Sequence, residues 1–75
     1  MNEAIFQPIA KVLVARRPAW TFVIEDNLVR IQTGQFVVKW DIIDEILSKK
    51  DFKLDEVIMH QGLGLVITMV YTGGR

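Results

Sequence analysis

Cysteine is absent from this sequence of 75 residues, and histidine occurs only once, at position 60. Disulfide bonds are therefore excluded, and a single histidine cannot supply the ligand shell of a structural zinc site. Small domains usually gain stability from such cross-links, from a metal or from a partner subunit. Because the apolar fraction is also high, at 51%, we expect a homo-oligomer that buries apolar surface between its chains.

An excess of charge of one sign is also missing, since nine basic and nine acidic residues give a net charge of zero. Proteins dedicated to nucleic acid usually carry a positive excess, because phosphate contacts supply most of their affinity. Nucleic acid is therefore a disfavoured partner.

The longest apolar run, residues 63–71, has about half of the roughly 20 residues that a membrane span needs. Residues 1–7 lack a signal-peptide pattern, so we expect a cytoplasmic protein without membrane association.

The clearest pattern that is present lies between the two tryptophans, at positions 20 and 40. Asp26-Asn27 tolerates the positive φ angles of a tight turn, and Gly34-Gln35 can form a second turn. The flanking segments are rich in β-branched and aromatic residues and predict an antiparallel meander with strands at about 20–25, 28–33 and 36–40. Side chains alternate across a strand, so one face carries Trp20, Phe22, Ile24, Val29, Ile31, Phe36, Val38 and Trp40.

A helix at about residues 42–50 is predicted to cover this apolar face. Asp41 is expected to cap its start, and its apolar stripe at helical spacing consists of Ile42, Ile43, Ile46 and Leu47. A second helix is favoured at about residues 7–17, closed by Pro18. The stretch Val12–Val14 would suit a strand equally well.

The last third of the chain predicts at least one more strand. Residues 65–71 are apolar on both faces, so this strand is expected to be central or to lie at a subunit interface. Residues 53–61 fit a strand that pairs with it, but the spacing of their apolar residues would also fit a helix. We favour the hairpin, and expect a flexible tail at 72–75. The prediction is one α+β domain over residues 1–75, in the order α-β-β-β-α-β-β.

Few side chains could carry catalysis. Ser48, the only serine, lies on a predicted helix surface without a nucleophile-elbow pattern. His60 stands beside a predicted turn and is interpreted as a polar loop residue. Asp41 and Asp44 belong to the predicted start of a helix, and no EF-hand spacing is present. We therefore expect a protein that is not an enzyme and that uses neither a metal nor a cofactor.

The best candidate for a ligand site is the cluster around Trp20. Arg16 and Arg17 could bind a phosphate while the indole of Trp20 stacks on a base. The meander register instead points Trp20 into the core, and an arginine pair at the end of a helix is a common complement to the helix dipole.

Arg30 and Lys39 extend this basic set in the predicted register, where they face each other on the outer side of the sheet. Like charges placed opposite each other destabilise a sheet. An anion, an acidic partner or the neighbouring Glu25 would relieve that repulsion.

The stretch Val14–Trp20, followed by Trp40 and by Asp51-Phe52, resembles landmarks of small phage proteins that sequester cyclic-nucleotide immune signals. Those landmarks are Arg-x-Gly-Trp and Asp-Trp. Here Ala19 stands in place of the glycine and Phe52 in place of the tryptophan, and the central region does not match. The resemblance implies nucleotide binding as an alternative function.

Two functional hypotheses follow. The first is a small oligomeric interaction module or regulator, of the kind encoded by phages or mobile elements, that docks on another protein. Its interface is predicted to include Val37, Leu65, Val66, Ile67, Met69 and Tyr71. The second is a binder of a nucleotide signal or nucleic acid that uses Arg16, Arg17, Trp20, Arg30 and Lys39.

Overall fold

The computed structural model describes residues 3–49 and 51–73. After a 3-10 helix at Glu3–Phe6, the elements are α1 (Gln7–Arg16), β1 (Thr21–Glu25), β2 (Leu28–Gln32), α2 (Trp40–Leu47), β3 (Phe52–His60) and β4 (Gly64–Tyr71). The strands form one antiparallel sheet in the order β1-β2-β4-β3. The α+β class, the N-terminal helix and the C-terminal hairpin are thus confirmed. Lys50, at the predicted end of a helix, and residues 74–75 of the predicted tail lie outside the described residues.

The first hairpin has the predicted register. Asp26, with a φ of 52°, begins the turn between β1 and β2. Phe22 lies opposite Ile31, and the next inward pair follows two residues further along each strand. Val29 and Ile31 are fully buried, because this side of the sheet faces the helices. The two-residue turn therefore sets the register, as hairpin geometry requires.

Residues 36–40 do not form the predicted third strand. The place beside β2 is taken by β4, with Ile67 opposite Ile31 and Met69 opposite Val29. β4 is longer and apolar on both sides, so placing it in the centre of the sheet buries more apolar surface than a short strand with one apolar face would. The chain after Gln32 instead loops over to α2.

This loop is held against the start of β4 by main-chain hydrogen bonds. Thr33 donates its N–H to the carbonyl of Leu65 at 3.1 Å, and Leu65 donates its own N–H to Gln35 at 2.8 Å. The buried hydroxyl of Thr33 donates to Leu65 O at 2.9 Å, or to Gln35 O at 3.0 Å, and accepts the Gln35 N–H at 3.2 Å. The short loop therefore continues the pairing between β2 and β4.

Helix α2 begins at Trp40 rather than after a capping Asp41. Lys39 is the N-cap residue and makes no side-chain capping bond. The carboxylate of Asp41 is instead bound by Arg16 of α1, at 2.7 Å. The predicted apolar stripe is confirmed, because its three isoleucines, Ile42, Ile43 and Ile46, are buried.

The core lies between the helices and one face of the sheet. Helix α1 contributes Ile9, Val12 and Leu13. At one end of the sheet Phe52 stacks on Phe6 at 5.6 Å and meets the edge of Tyr71 at 5.7 Å between ring centroids. The helices therefore cover the start of β3, whereas the rest of that strand is exposed.

Candidate interaction surfaces

Strand β3 is one edge of the sheet and runs past the cover of the helices. A bulge between Leu54 and Glu56 shifts its register against β4. Beyond the bulge, Val57 and Met59 lie opposite Ile67 and Leu65, on the helix side of the sheet. Side chains alternate along a strand, so Glu56, Ile58 and His60 lie on the outer side.

On the outer edge of β3, main-chain groups have no partner among the described residues. In β4, Leu65 and Tyr71 bond on the β2 side, since Leu65 N–H donates to Gln35 and Tyr71 N–H donates to Asn27. The intervening even-numbered residues therefore bond to β3, because main-chain groups alternate in direction along an antiparallel strand. Val57 pairs with Ile67, and Met59 pairs with Leu65. Val57 and Met59 therefore direct their N–H and C=O groups away from the sheet.

Apolar side chains surround this open edge. The exposed fractions of Val57, Ile58 and Met59 are 41%, 47% and 64%. The first half of β3 carries Lys53, Asp55 and Glu56, but this second half carries no charge before His60. Charged residues and bulges are common devices that keep edge strands from pairing. On β3 both devices stop at Glu56, which leaves residues 57–59 open. We call Val57, Ile58 and Met59 the open edge.

His60 closes this strand and orients its own ring. The N–H of Gly62 donates to Nδ1 of His60 at 3.1 Å. Because Nδ1 accepts a hydrogen bond, the proton of the neutral ring lies on Nε2. His60 therefore offers a donor on the outer face of the sheet, two residues beyond Ile58.

The five residues of the predicted ligand cluster are not brought together. Arg16 is engaged by acidic residues of α2, with Nη2 at 2.7 Å from Asp41 and Nε at 3.2 Å from Glu45. These partly exposed pairs link α1 to α2, so the guanidinium of Arg16 is already engaged by two carboxylates.

Arg30 does not face Lys39. It lies between Val23 and Thr68 on the outer side of the sheet, and its guanidinium binds Glu25. Lys39 is the N-cap residue of α2 and belongs to none of the described strands. The predicted repulsion is absent because residues 36–40 are not a strand, and Glu25 is the partner of Arg30.

Arg17 and Trp20 do share a site. Together with residues of α1 and β1 they line an open cavity of about 490 Å³, and the lining residues are Ala10, Leu13, Val14, Arg17, Ala19, Trp20 and Phe22. Trp20 is buried on the core side, as predicted. Its indole Nε1–H is buried and has no hydrogen-bond acceptor among the described residues. Arg17 forms no ion pair within the described part of the chain.

The backbone of this site adopts unusual angles. Arg17 and Ala19 both have positive φ, at 51° and 64°, a region that non-glycine residues rarely occupy. Arg17 ends α1 in this conformation and donates its N–H to the carbonyl of Leu13 at 3.0 Å. Strained residues persist where the surrounding structure holds them, and they are common near binding sites.

The predicted interface residues are divided between core and surface. Ile67 and Met69 are fully buried in the core, so they offer no side-chain surface to a partner. This burial follows from the central position of β4. Val66 is buried on the outer face, Leu65 and Tyr71 are half-buried, and Val37 is 88% exposed in the loop before α2.

The open edge was not predicted from the sequence. The pattern of residues 53–61 fits a strand or a helix, and it predicts no functional role for Val57, Ile58 or Met59. A usable signal was present, since a charged half strand is followed by an uncharged apolar half. It could be interpreted only once β4, rather than β3, was known to take the central place.

The hydroxyl of the one serine is engaged within the fold. Ser48 is exposed at the end of α2 and donates its hydroxyl to the carbonyl of Glu45 at 2.6 Å. Among the described residues, no group of three or more histidine or acidic side chains is placed to hold a metal ion. Neither described α-helix has the length and apolar character required to cross a membrane.

No protein-family model, curated protein or solved structure matches the chain.

Proposed function

We propose that this protein is a small oligomeric interaction module that docks on other protein chains by adding a strand to the open edge. The single observation that carries the proposal is that Val57 and Met59 direct unpaired main-chain groups outward while apolar side chains are exposed on both sides of them. In strand addition the main-chain bonds supply affinity and the side chains supply specificity.

The surface has the features of a binding edge. Long, uncharged and apolar edge strands associate with other chains unless they are covered or charged. A partner strand placed here would pair with Val57 and Met59. It would also cover apolar surface on the helix side and at Ile58 on the outer side. Regulation of a partner by docking requires only such a surface and no catalytic group.

The test is to retain partners from an extract on immobilised protein and compare Met59→Lys with Val14→Lys. Both residues are exposed, at 64% and 74%, so neither substitution disturbs the core. Only Met59→Lys places a charge beside the outward main-chain groups. We expect Met59→Lys to abolish retention of partners that Val14→Lys still retains, and we expect the amides of Val57 and Met59 to gain hydrogen-exchange protection in the complex. Equal retention by both variants would contradict the proposal.

A second candidate function is favoured by the cavity at Trp20. A guanidinium and an unpaired indole N–H beside an apolar lining suit a small anion with a flat apolar body, such as a nucleotide. The buried Nε1–H supports this candidate independently of charge, because buried polar groups usually have partners. Nε1 itself has almost no accessible surface, so a bound acceptor would supply the missing hydrogen bond only after the side chains that line the cavity move.

Titration with adenosine monophosphate, followed by Trp20 fluorescence in a Trp40→Phe background, tests this second candidate. Arg17→Ala should weaken binding at least tenfold, as expected for a lost hydrogen bond to a charged group. Arg16→Ala is the matched control, because the neighbouring guanidinium is committed to Asp41 and Glu45. A fluorescence response that is absent, or that is the same in both arginine variants, would eliminate this candidate.

A further inference from the structure

The open edge is chemically suited to pair with itself. We infer that two copies of this chain associate through antiparallel pairing of their β3 strands, about a two-fold axis that passes beside Ile58. The inference rests on the proposed function and names the partner as a second copy. It joins the two sheets edge to edge into one continuous sheet.

Main-chain geometry limits where the axis can lie. In an antiparallel pair, opposite residues must both direct their main-chain groups into the pair or both direct them away. An axis between two residues would pair unlike directions, so the axis must pass beside a residue. With the axis at Ile58, Val57 lies opposite the partner copy's Met59, and both point their N–H and C=O groups into the new ladder. Main-chain bonds then form on both sides of the axis.

Side-chain chemistry selects this position among its neighbours. An axis at Glu56 would place two carboxylates together, which destabilises a pair. An axis at Val57 would oppose Glu56 to Ile58, and an axis at Met59 would oppose Ile58 to His60. Each of these mismatches a polar side chain with an apolar one.

The axis at Ile58 matches every opposed pair beyond the bulge. On the outer face Ile58 meets its own copy. On the helix face Val57 meets Met59. Glu56 lies opposite His60 of the other copy on the outer face, and the Nε2–H of His60 is available because Gly62 occupies Nδ1. The Ile58–Ile58 and Glu56–His60 pairs are non-hydrogen-bonded positions, in which opposite side chains approach most closely.

The absence of cysteine allows a direct test of the axis. In Ile58→Cys the new thiols would lie directly opposite each other, with Cβ atoms roughly 4.5–5.5 Å apart, close to disulfide geometry. In Val57→Cys the two thiols would be diagonal and roughly 7–8 Å apart. Val23→Cys is the matched surface control, since Val23 is exposed on the outer face of the opposite edge strand.

Under mild oxidation we expect Ile58→Cys to form a disulfide-linked dimer at least about tenfold faster than either control, because only its sulfur atoms meet disulfide geometry. A faster reaction of Val57→Cys would overturn the register. Similar rates for all three variants would overturn pairing through β3.

Charge exchange gives an independent test in the chain without cysteine. The dimer contains the Glu56–His60 pair twice, once on each side of the axis. Glu56→Arg places an arginine opposite His60, and His60→Glu places a second carboxylate opposite Glu56. We expect each change to raise the dimer dissociation constant about tenfold in sedimentation velocity. The double variant places the arginine of Glu56→Arg opposite the glutamate of His60→Glu as an opposite-charge pair, so it should return the constant toward that of the native chain. Failure of the double variant to recover would contradict the register.

Self-pairing and the wider proposal can fail separately. A native chain that remains monomeric up to about 1 mM, a concentration at which even weak complexes form, overturns self-pairing. If Met59→Lys still loses the retained partners in that case, strand addition to a different protein stands. If the native chain dimerises and Met59→Lys retains all partners, the dimer stands and the open edge is not the docking site for other proteins.

Discussion

Gly64 lies directly against the main chain of Gln35, and a β-carbon at Gly64 would be only 2.3 Å from the Gln35 nitrogen. This approach lets the loop after β2 continue the pairing with β4. Gly64 also has a φ of +71°, in the region that glycine occupies without penalty. The residue therefore serves the packing of the loop as well as the hairpin turn.

Gly64→Ala is expected to lower the free energy of unfolding by about 2–4 kcal/mol. The positive φ accounts for about 1 kcal/mol, and the rest comes from main-chain displacement, in the range of about 1–3 kcal/mol for overpacked sites. Urea denaturation followed by circular dichroism measures the change.

Gly34→Ala is the matched control for this substitution. Gly34 has a similar φ of +68°, but a β-carbon there would have no atom within 4 Å. The control should lose only about 1 kcal/mol. Equal losses in the two variants would show that the close approach to Gln35 does not exist in solution.

Thr33→Val should lower the free energy of unfolding by about 1–3 kcal/mol, as expected when a buried hydrogen-bonded group loses its partner. The substitution preserves the shape of the side chain but removes the hydroxyl that serves Leu65 and Gln35. Thr21→Val is the control, because the Thr21 hydroxyl is exposed and makes only a 3.4 Å contact with Gln32. A Thr33 variant as stable as the Thr21 variant would contradict the buried role of that hydroxyl.

The hairpin of β1 and β2 and the helix α2 could be predicted because their determinants are local. Asp26-Asn27 fixes a two-residue turn, and the spacing of Ile42, Ile43 and Ile46 identifies the buried face of a helix. The prediction of a third strand at residues 36–40 was wrong. Gly34 permits a hairpin turn locally, but among the described residues the folded protein forms no hairpin there. A strand from the far end of the chain competed for the same edge and buried more apolar surface.

Part of the candidate surface could be foreseen and part could not. Arg17 and Trp20 line one cavity, and their closeness in sequence made that juxtaposition predictable. Which of Arg16 and Arg17 remains available to a ligand depends on Asp41 and Glu45. These two residues are far away in sequence but lie beside Arg16 in the fold. Only the packing of α1 on α2 decides between two adjacent arginines. The open edge depends likewise on strand order.

Hydrogen exchange should separate the observed sheet from a three-stranded meander. Residues 36–39 form no described strand, whereas Ile67 and Met69 lie in the centre of the sheet. We expect the amides of 36–39 to exchange rapidly, near the rate of an open loop, and those of Ile67 and Met69 to exchange only on global unfolding. Slow exchange at Val37 and Val38 would indicate that the meander forms after all.

The ion pairs that join α1 to α2 are expected to contribute little to stability. Arg16, Asp41 and Glu45 are all partly exposed, and exposed pairs typically contribute about 0.2–1 kcal/mol. A double-mutant cycle of Arg16→Ala and Asp41→Ala, measured by urea denaturation, should give a coupling energy in that range. The coupling should fall as salt is raised, because counterions screen exposed charges.

A coupling well above about 1 kcal/mol that resists salt would mean that the pair is buried in solution. In that case the Arg16→Ala control would also perturb the packing of α1, and the comparison of Arg16 with Arg17 would have to be repeated with Arg16→Lys.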